Sequence, residues 1–263
     1  MDQLEELKEE VGRMGRLLDA GNRGATVGGD LLLAFGVIFS VFCSAAAACA
    51  FGYLPLTWIP SPLAASAAFL SVAVVFTGTR DRMPKTVLVA LMAALAGEAA
   101  WRGTMMLFQS SEMANRMRVG AALLAISLLM VVAGTLVGLW RLSRNPSSAS
   151  PANRALVGVW TGVAGAMAVA IALCVAAGIR TGNWFGLNFV PGFFWALWGA
   201  AWWASATATN SRWMRIVAAG SWALAVYAAA SFDFYATSII GFAVLAVVPG
   251  LWLLREAQRT HEA

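Results

Sequence analysis

Charge is what this sequence has least of. Asp, Glu, Lys and Arg make up 12% of its 263 residues, about half the share found in an ordinary soluble domain. A water-facing surface needs polar groups to cover it, so the composition argues against a soluble globular fold. Histidine is nearly absent: His261 stands alone in the polar tail. A histidine-based metal site or catalytic triad inside the apolar part is thereby excluded. Cys43, Cys49 and Cys174 all fall in apolar runs without metal-ligand spacing and read as small packing residues. No Gly-x-Ser-x-Gly, His-Glu-x-x-His or P-loop sequence occurs, and each of those reactions needs its residues at that spacing. The chain is therefore expected not to be an enzyme and to carry no metal or cofactor. Its net charge of +5 points to nucleic acid at first sight. The bases, however, come in short groups between apolar runs rather than as a stripe, and no nucleic acid is expected as a partner.

What the chain does have is hydrophobic length: 60% of its residues are apolar. A bilayer core of roughly 30 Å takes about 20 residues of helix. Runs of that order recur at about 29–51, 62–79, 86–108, 119–140, 155–178, 189–206, 214–231 and 236–254, the second and sixth being the shortest. A transmembrane barrel would show alternating segments of about ten residues, whereas these runs are continuous and rich in Ala, Leu and Gly. The predicted fold is an all-α, polytopic transmembrane bundle of about eight spans. Small residues such as Gly134, Gly138, Gly162 and Gly165 are expected to let helices approach closely. The first run is read as a retained anchor, because the segment before it is long and acidic where a signal peptide is short and basic.

Basic residues orient the bundle. Of the 18 Lys and Arg residues, 14 fall in segments that eight crossings would place on one side. Only Arg116, Arg118 and Arg180 fall on the other, and Arg102 lies within a run. This is a positive-inside pattern with both termini cytoplasmic. Tyr53, Trp58 and Trp184 on the outer side and Trp140, Trp213 and Trp252 on the inner side suit the headgroup level.

The chain also reads as duplicated. Gly138-Leu139-Trp140-Arg141 closes the fourth run and Gly250-Leu251-Trp252 closes the eighth. Pro60 and Pro62 open the second and Pro191 the sixth. Two four-helix halves in parallel orientation follow. The division is residues 1–28, a cytoplasmic amphipathic helix and Gly-rich turn; 29–141, the first half; 142–154, a linker; 155–255, the second half; and 256–263, a tail.

Three features are candidates for function. Glu98 and Arg102, four apart in the third run, share a helix face in the favourable acid-before-base order. A charge in hydrocarbon costs about 3 kcal/mol on insertion scales, so the pair must face the interior or a wet cavity. It is either a proton or cation site or a self-satisfied structural pair. Trp195, Trp198 and Trp202 form an aromatic stripe on the sixth run, suited to holding an organic cation or to plain packing. Leu4, Leu7, Val11, Met14 and Leu18 repeat at spacings of three and four among many acids. They mark one apolar face of a helix over 2–20, too short to stand alone and net negative, so anionic lipid repels it. Beyond membrane lipid, its expected contact is a protein partner or a second copy.

The ends of the chain carry a resemblance. The charged N-terminal helix, the turn Gly21-Asn22-Arg23-Gly24, the segment Trp213-Met214-Arg215 and the closing Val248-Pro249-Gly250-Leu251-Trp252-Leu253-Leu254-Arg255 resemble a loose group of uncharacterised bacterial multi-pass inner-membrane proteins. The resemblance implies the bacterial inner membrane and a possible regulatory setting, and it transfers no functional residue. The leading expectation is a non-enzymatic membrane protein that engages a partner through residues 2–20. The alternative is a small transporter for a proton-coupled or cationic solute that uses Glu98 and Arg102.

Overall fold

The computed structural model describes residues 29–55, 59–75, 83–109, 112–144, 151–183, 185–231 and 233–262. Among them there is no strand. The helices are α1 (Gly29–Ala50), α2 (Pro62–Val75), α3 (Met83–Leu107), α4 (Met113–Arg144), α5 (Pro151–Thr181), α6 (Val190–Thr209), α7 (Arg212–Ser231) and α8 (Phe234–Phe242). A π-helical turn, Ala243–Val247, joins α8 without a break to α9 (Val248–Glu262). Six stretches are long and apolar enough to cross a membrane: α1, α3, α4, α5, α7 and the α8–α9 rod. The chain is thus an all-helical, multi-pass membrane protein. The other two helices differ in kind. With 14 residues, α2 is only about 21 Å long. With 20 residues, α6 is long enough to span but is not among those six.

Helix ends follow from local chemistry. Pro62 and Pro191 sit in the first turns of α2 and α6, where a missing N–H costs nothing. Asn210 closes α6 in the left-handed conformation, φ 51°, which Asn tolerates better than most residues. The Asp233 carboxylate accepts the Ala236 N–H at 3.0 Å and so caps α8, satisfying one of the four donors that a helix start leaves free.

In lipid, helices associate through close contact rather than through release of water, and the glycines show where. Gly97 of α3 lies so near α2 that a Cβ there would meet the Leu63 carbonyl oxygen at 2.8 Å. A Cβ on Gly36 of α1 would meet the Val247 backbone nitrogen at 2.8 Å, and one on Gly250 of α9 would meet the Leu33 nitrogen at 2.9 Å. First and last helices are therefore in backbone contact. Gly134 and Gly138 also serve as expected, against Phe69 and Leu31. Gly162 and Gly165 do not: nothing lies within 4 Å of a Cβ at either. The reason is rotational. α5 buries Leu156, Ala164, Met167 and Ile171, and these two glycines lie on its other side, exposed.

Pro249 explains the π turn. A proline inside a helix clashes with the carbonyl four residues back, here Leu245, and offers it no N–H. The helix widens over Ala243–Val247, and the indole N–H of Trp198 donates to the Leu245 oxygen at 3.2 Å. That carbonyl thereby gains a partner, as the hydrocarbon phase demands.

Candidate functional site

Glu98 and Arg102 meet as their spacing requires, with Arg102 Nε donating to Glu98 Oε1 at 2.5 Å. The structure adds a third member that no spacing shows. The backbone N–H of Ser61, 37 positions away, donates to Glu98 Oε2 at 2.7 Å. Ser61 immediately precedes α2, and its Oγ accepts the Ala64 N–H at 3.2 Å. Arg102 Nη2 reaches the carbonyl oxygen of Ile59 at 3.4 Å. Both carboxylate oxygens are therefore engaged, one by a guanidinium and one by main chain. The group ties the entry of a short helix to the side of a long one. Gly97, next to Glu98, permits the approach. The side chains of Glu98 and Arg102 are 23% and 46% exposed respectively, and the Arg102 guanidinium lies back over the preceding turn of α3 against Glu98.

The tryptophan stripe turns inward. Trp195, Trp198 and Trp202 are all buried, while Trp203 beside them is 47% exposed. Trp195 fills the space over Gly241 and packs edge-on against Phe194. Trp198 stacks with Phe35 of α1 and Phe194. Trp160 of α5 meets Trp198 and Trp202 edge to face, at 5.0 and 5.5 Å between ring centroids, in the geometry that ring quadrupoles favour. Phe35, Phe69 and Trp160 complete a wall of which only the α6 part was anticipated. The Phe35–Phe39 spacing on α1 was the available signal.

Beside this wall lies a cavity of about 150 Å³. It is bounded by Leu31 and Phe35 of α1, Phe69 of α2, Val131 and Thr135 of α4, Trp160 and Ala164 of α5, Trp198 and Trp202 of α6, Met214 of α7 and Leu253 of α9. None of its lining residues is charged. Thr135 and Ser205 on its wall donate their hydroxyls back into their own helices, at 2.9 and 2.7 Å. Trp202 Nε1 is buried without an acceptor among the described residues. Two other indoles donate to main-chain carbonyls: the buried Trp198 to Leu245 at 3.2 Å, and the more exposed Trp222 to Ala196 at 3.1 Å.

No known protein family, curated protein or solved structure matches this chain. The site is therefore read from its own geometry. Of the three candidates, the structure brings together Glu98 with Arg102 and sets Trp198 and Trp202 on one cavity, with Trp195 behind them. Leu4, Leu7, Val11, Met14 and Leu18 lie outside the described residues. Cys43 and Cys49 are buried, and Cys174 is partly so.

Proposed function

We propose that this integral membrane protein is non-enzymatic and works by engaging a partner, through its N-terminal segment, from a bacterial inner membrane that it crosses eight times. One observation carries the choice over transport: both oxygens of the Glu98 carboxylate are engaged, by Arg102 and by the Ser61 main chain. A proton or cation carrier needs a carboxylate that can change partners during its cycle, and this one holds α2 to α3. The sequence adds a net-negative amphipathic segment at 2–20. That segment is joined to α1 at the end of the bundle where Arg141, Arg144, Arg154, Arg212 and Arg215 also sit, on the termini of α4, α5 and α7. The same arginine distribution supports cytoplasmic termini. The close pairing of α2 with α3 at Gly97 and of α6 with α7 at Gly199 supports two four-helix halves.

The test is native mass spectrometry of the protein extracted from its own membrane, comparing the full chain with one lacking residues 2–20. A protein, or a second copy, bound to the first and lost from the second is the expected result. Identical spectra overturn the reading. Under the transport alternative, Glu98→Gln abolishes proton flux into proteoliposomes while the protein still folds.

A further inference from the structure

We infer that the cavity among α1, α2, α4, α5, α6, α7 and α9 is a binding site for an apolar ring compound carrying one hydrogen-bond acceptor oxygen, of the aromatic-ketone class. The inference does not rest on residues 2–20 or on any partner.

Size comes first. A cavity of about 150 Å³ matches the order of volume that stays dry in an apolar interior and accepts a benzene-sized molecule. A ring fits that space. Wall chemistry comes second. Trp160, Trp198, Trp202, Phe35 and Phe69 supply ring faces and edges, which favour a further ring by offset or edge-on contact. No lining residue is charged, so an ion entering here would be left without a counter-charge.

The third argument fixes the polar end. Buried donors almost always have partners, and a low-dielectric surrounding makes an unmatched one costly. This protein matches the indoles of Trp198 and Trp222 to backbone carbonyls across helix pairs. The indole N–H of Trp202 has no acceptor among the described residues, although its ring forms part of the cavity wall. The hydroxyls of Thr135 and Ser205 are already bonded within their helices. One donor and an otherwise apolar wall define a ligand with one acceptor and an apolar body. Pockets with a mostly apolar lining and few fixed polar groups recognise ligands in this way.

The experiment uses the full chain in phosphatidylcholine nanodiscs and two probes of nearly one shape, 4-fluoroacetophenone and 4-fluoro-α-methylstyrene. The second replaces the carbonyl oxygen by a methylene group. Fluorine NMR follows saturable binding of each. The ketone is expected to bind about two- to tenfold more tightly, as one net hydrogen bond allows. Trp202→Phe should bring the ketone down to the level of the alkene, and Ala164→Leu, which fills the cavity, should remove binding of both. Equal affinity of the two probes for the unaltered protein overturns the proposal without any variant. A ketone preference that survives Trp202→Phe, or an absence of saturable binding, does the same. Mass spectrometry of organic extracts then distinguishes the source. An oxygenated ring lipid carried by the unaltered protein and lost from Ala164→Leu identifies a resident of the membrane. Probe binding with no such lipid identifies a compound that arrives from outside.

Discussion

Removing the carboxylate at position 98 should loosen the start of α2, and the size of the effect depends on what replaces it. In Glu98→Ala the Ser61 N–H loses its acceptor at 2.7 Å and Arg102 loses its partner at 2.5 Å. An unsatisfied, partly buried N–H costs about 1–3 kcal/mol. The ion pair adds at most about 1 kcal/mol, because a guanidinium that is 46% exposed retains much of its solvation. The expected loss is therefore about 1–4 kcal/mol, most of it from the main-chain bond. Glu98→Gln keeps an acceptor for Ser61 and should cost about 1 kcal/mol or less. Arg102→Ala should behave like Glu98→Gln, and its effect should nearly vanish on a Glu98→Ala background, since the two share one contact. The assay is unfolding in mixed micelles with rising SDS, followed by tryptophan emission, with amide exchange read at Ser61 and in the first turn of α2. Faster exchange there in Glu98→Ala, but not in Glu98→Gln, is the signature of the cap. Equal losses in the Ala and Gln variants would refute the reasoning, because charge rather than the acceptor would then be what matters.

Glycine substitutions should divide by face. Gly36→Ala forces a Cβ to 2.8 Å from the Val247 nitrogen and should destabilise by about 1–3 kcal/mol as overpacking does, whereas Gly162→Ala meets open space and should be neutral or stabilising by up to about 1 kcal/mol; SDS unfolding midpoints check both. Trp198→Phe removes the donor to the Leu245 carbonyl at 3.2 Å and should cost about 1 kcal/mol, with faster amide exchange confined to the turn around 243–249. A membrane-permeant thiol reagent should modify Cys174 well before the buried Cys43 and Cys49, which mass spectrometry of the labelled chain resolves; labelling of all three at one rate would contradict the packing of α1.

Much of the architecture was legible because hydrocarbon thickness imposes a length on each span. The run expected at 214–231 lies within α7, Arg212–Ser231, and the one at 29–51 matches α1, Gly29–Ala50. The helices α4 and α5 run past their apolar stretches by several residues, at Arg144 and Pro151, because headgroup-level backbone stays helical after the side chains turn polar. The partner of Glu98 was not legible: a contact across 37 positions leaves no local period. Nor was the rotation of α5, since the glycines at 162 and 165 look as suited to an interface as those at 134 and 138 until the buried face is known. The aromatic stripe on α6 was visible as spacing. Its inward direction depends on Phe35, Phe69 and Trp160, which come from three other helices.

The π turn before Pro249 also constrains how this chain can change length. An α-helix advances about 100° per residue, and the turn at Ala243–Val247 holds one residue more than a regular turn would. Closing that turn to an ordinary ladder without removing a residue would swing every following side chain about a third of the way round the rod. Gly250 would leave the Leu33 backbone, Leu253 would leave Gly29, and Trp252 would leave Trp213, its neighbour at 6.1 Å. The widened turn therefore sets the phase of the last helix, and loss of one residue within it, with the ladder closed, leaves that phase unchanged.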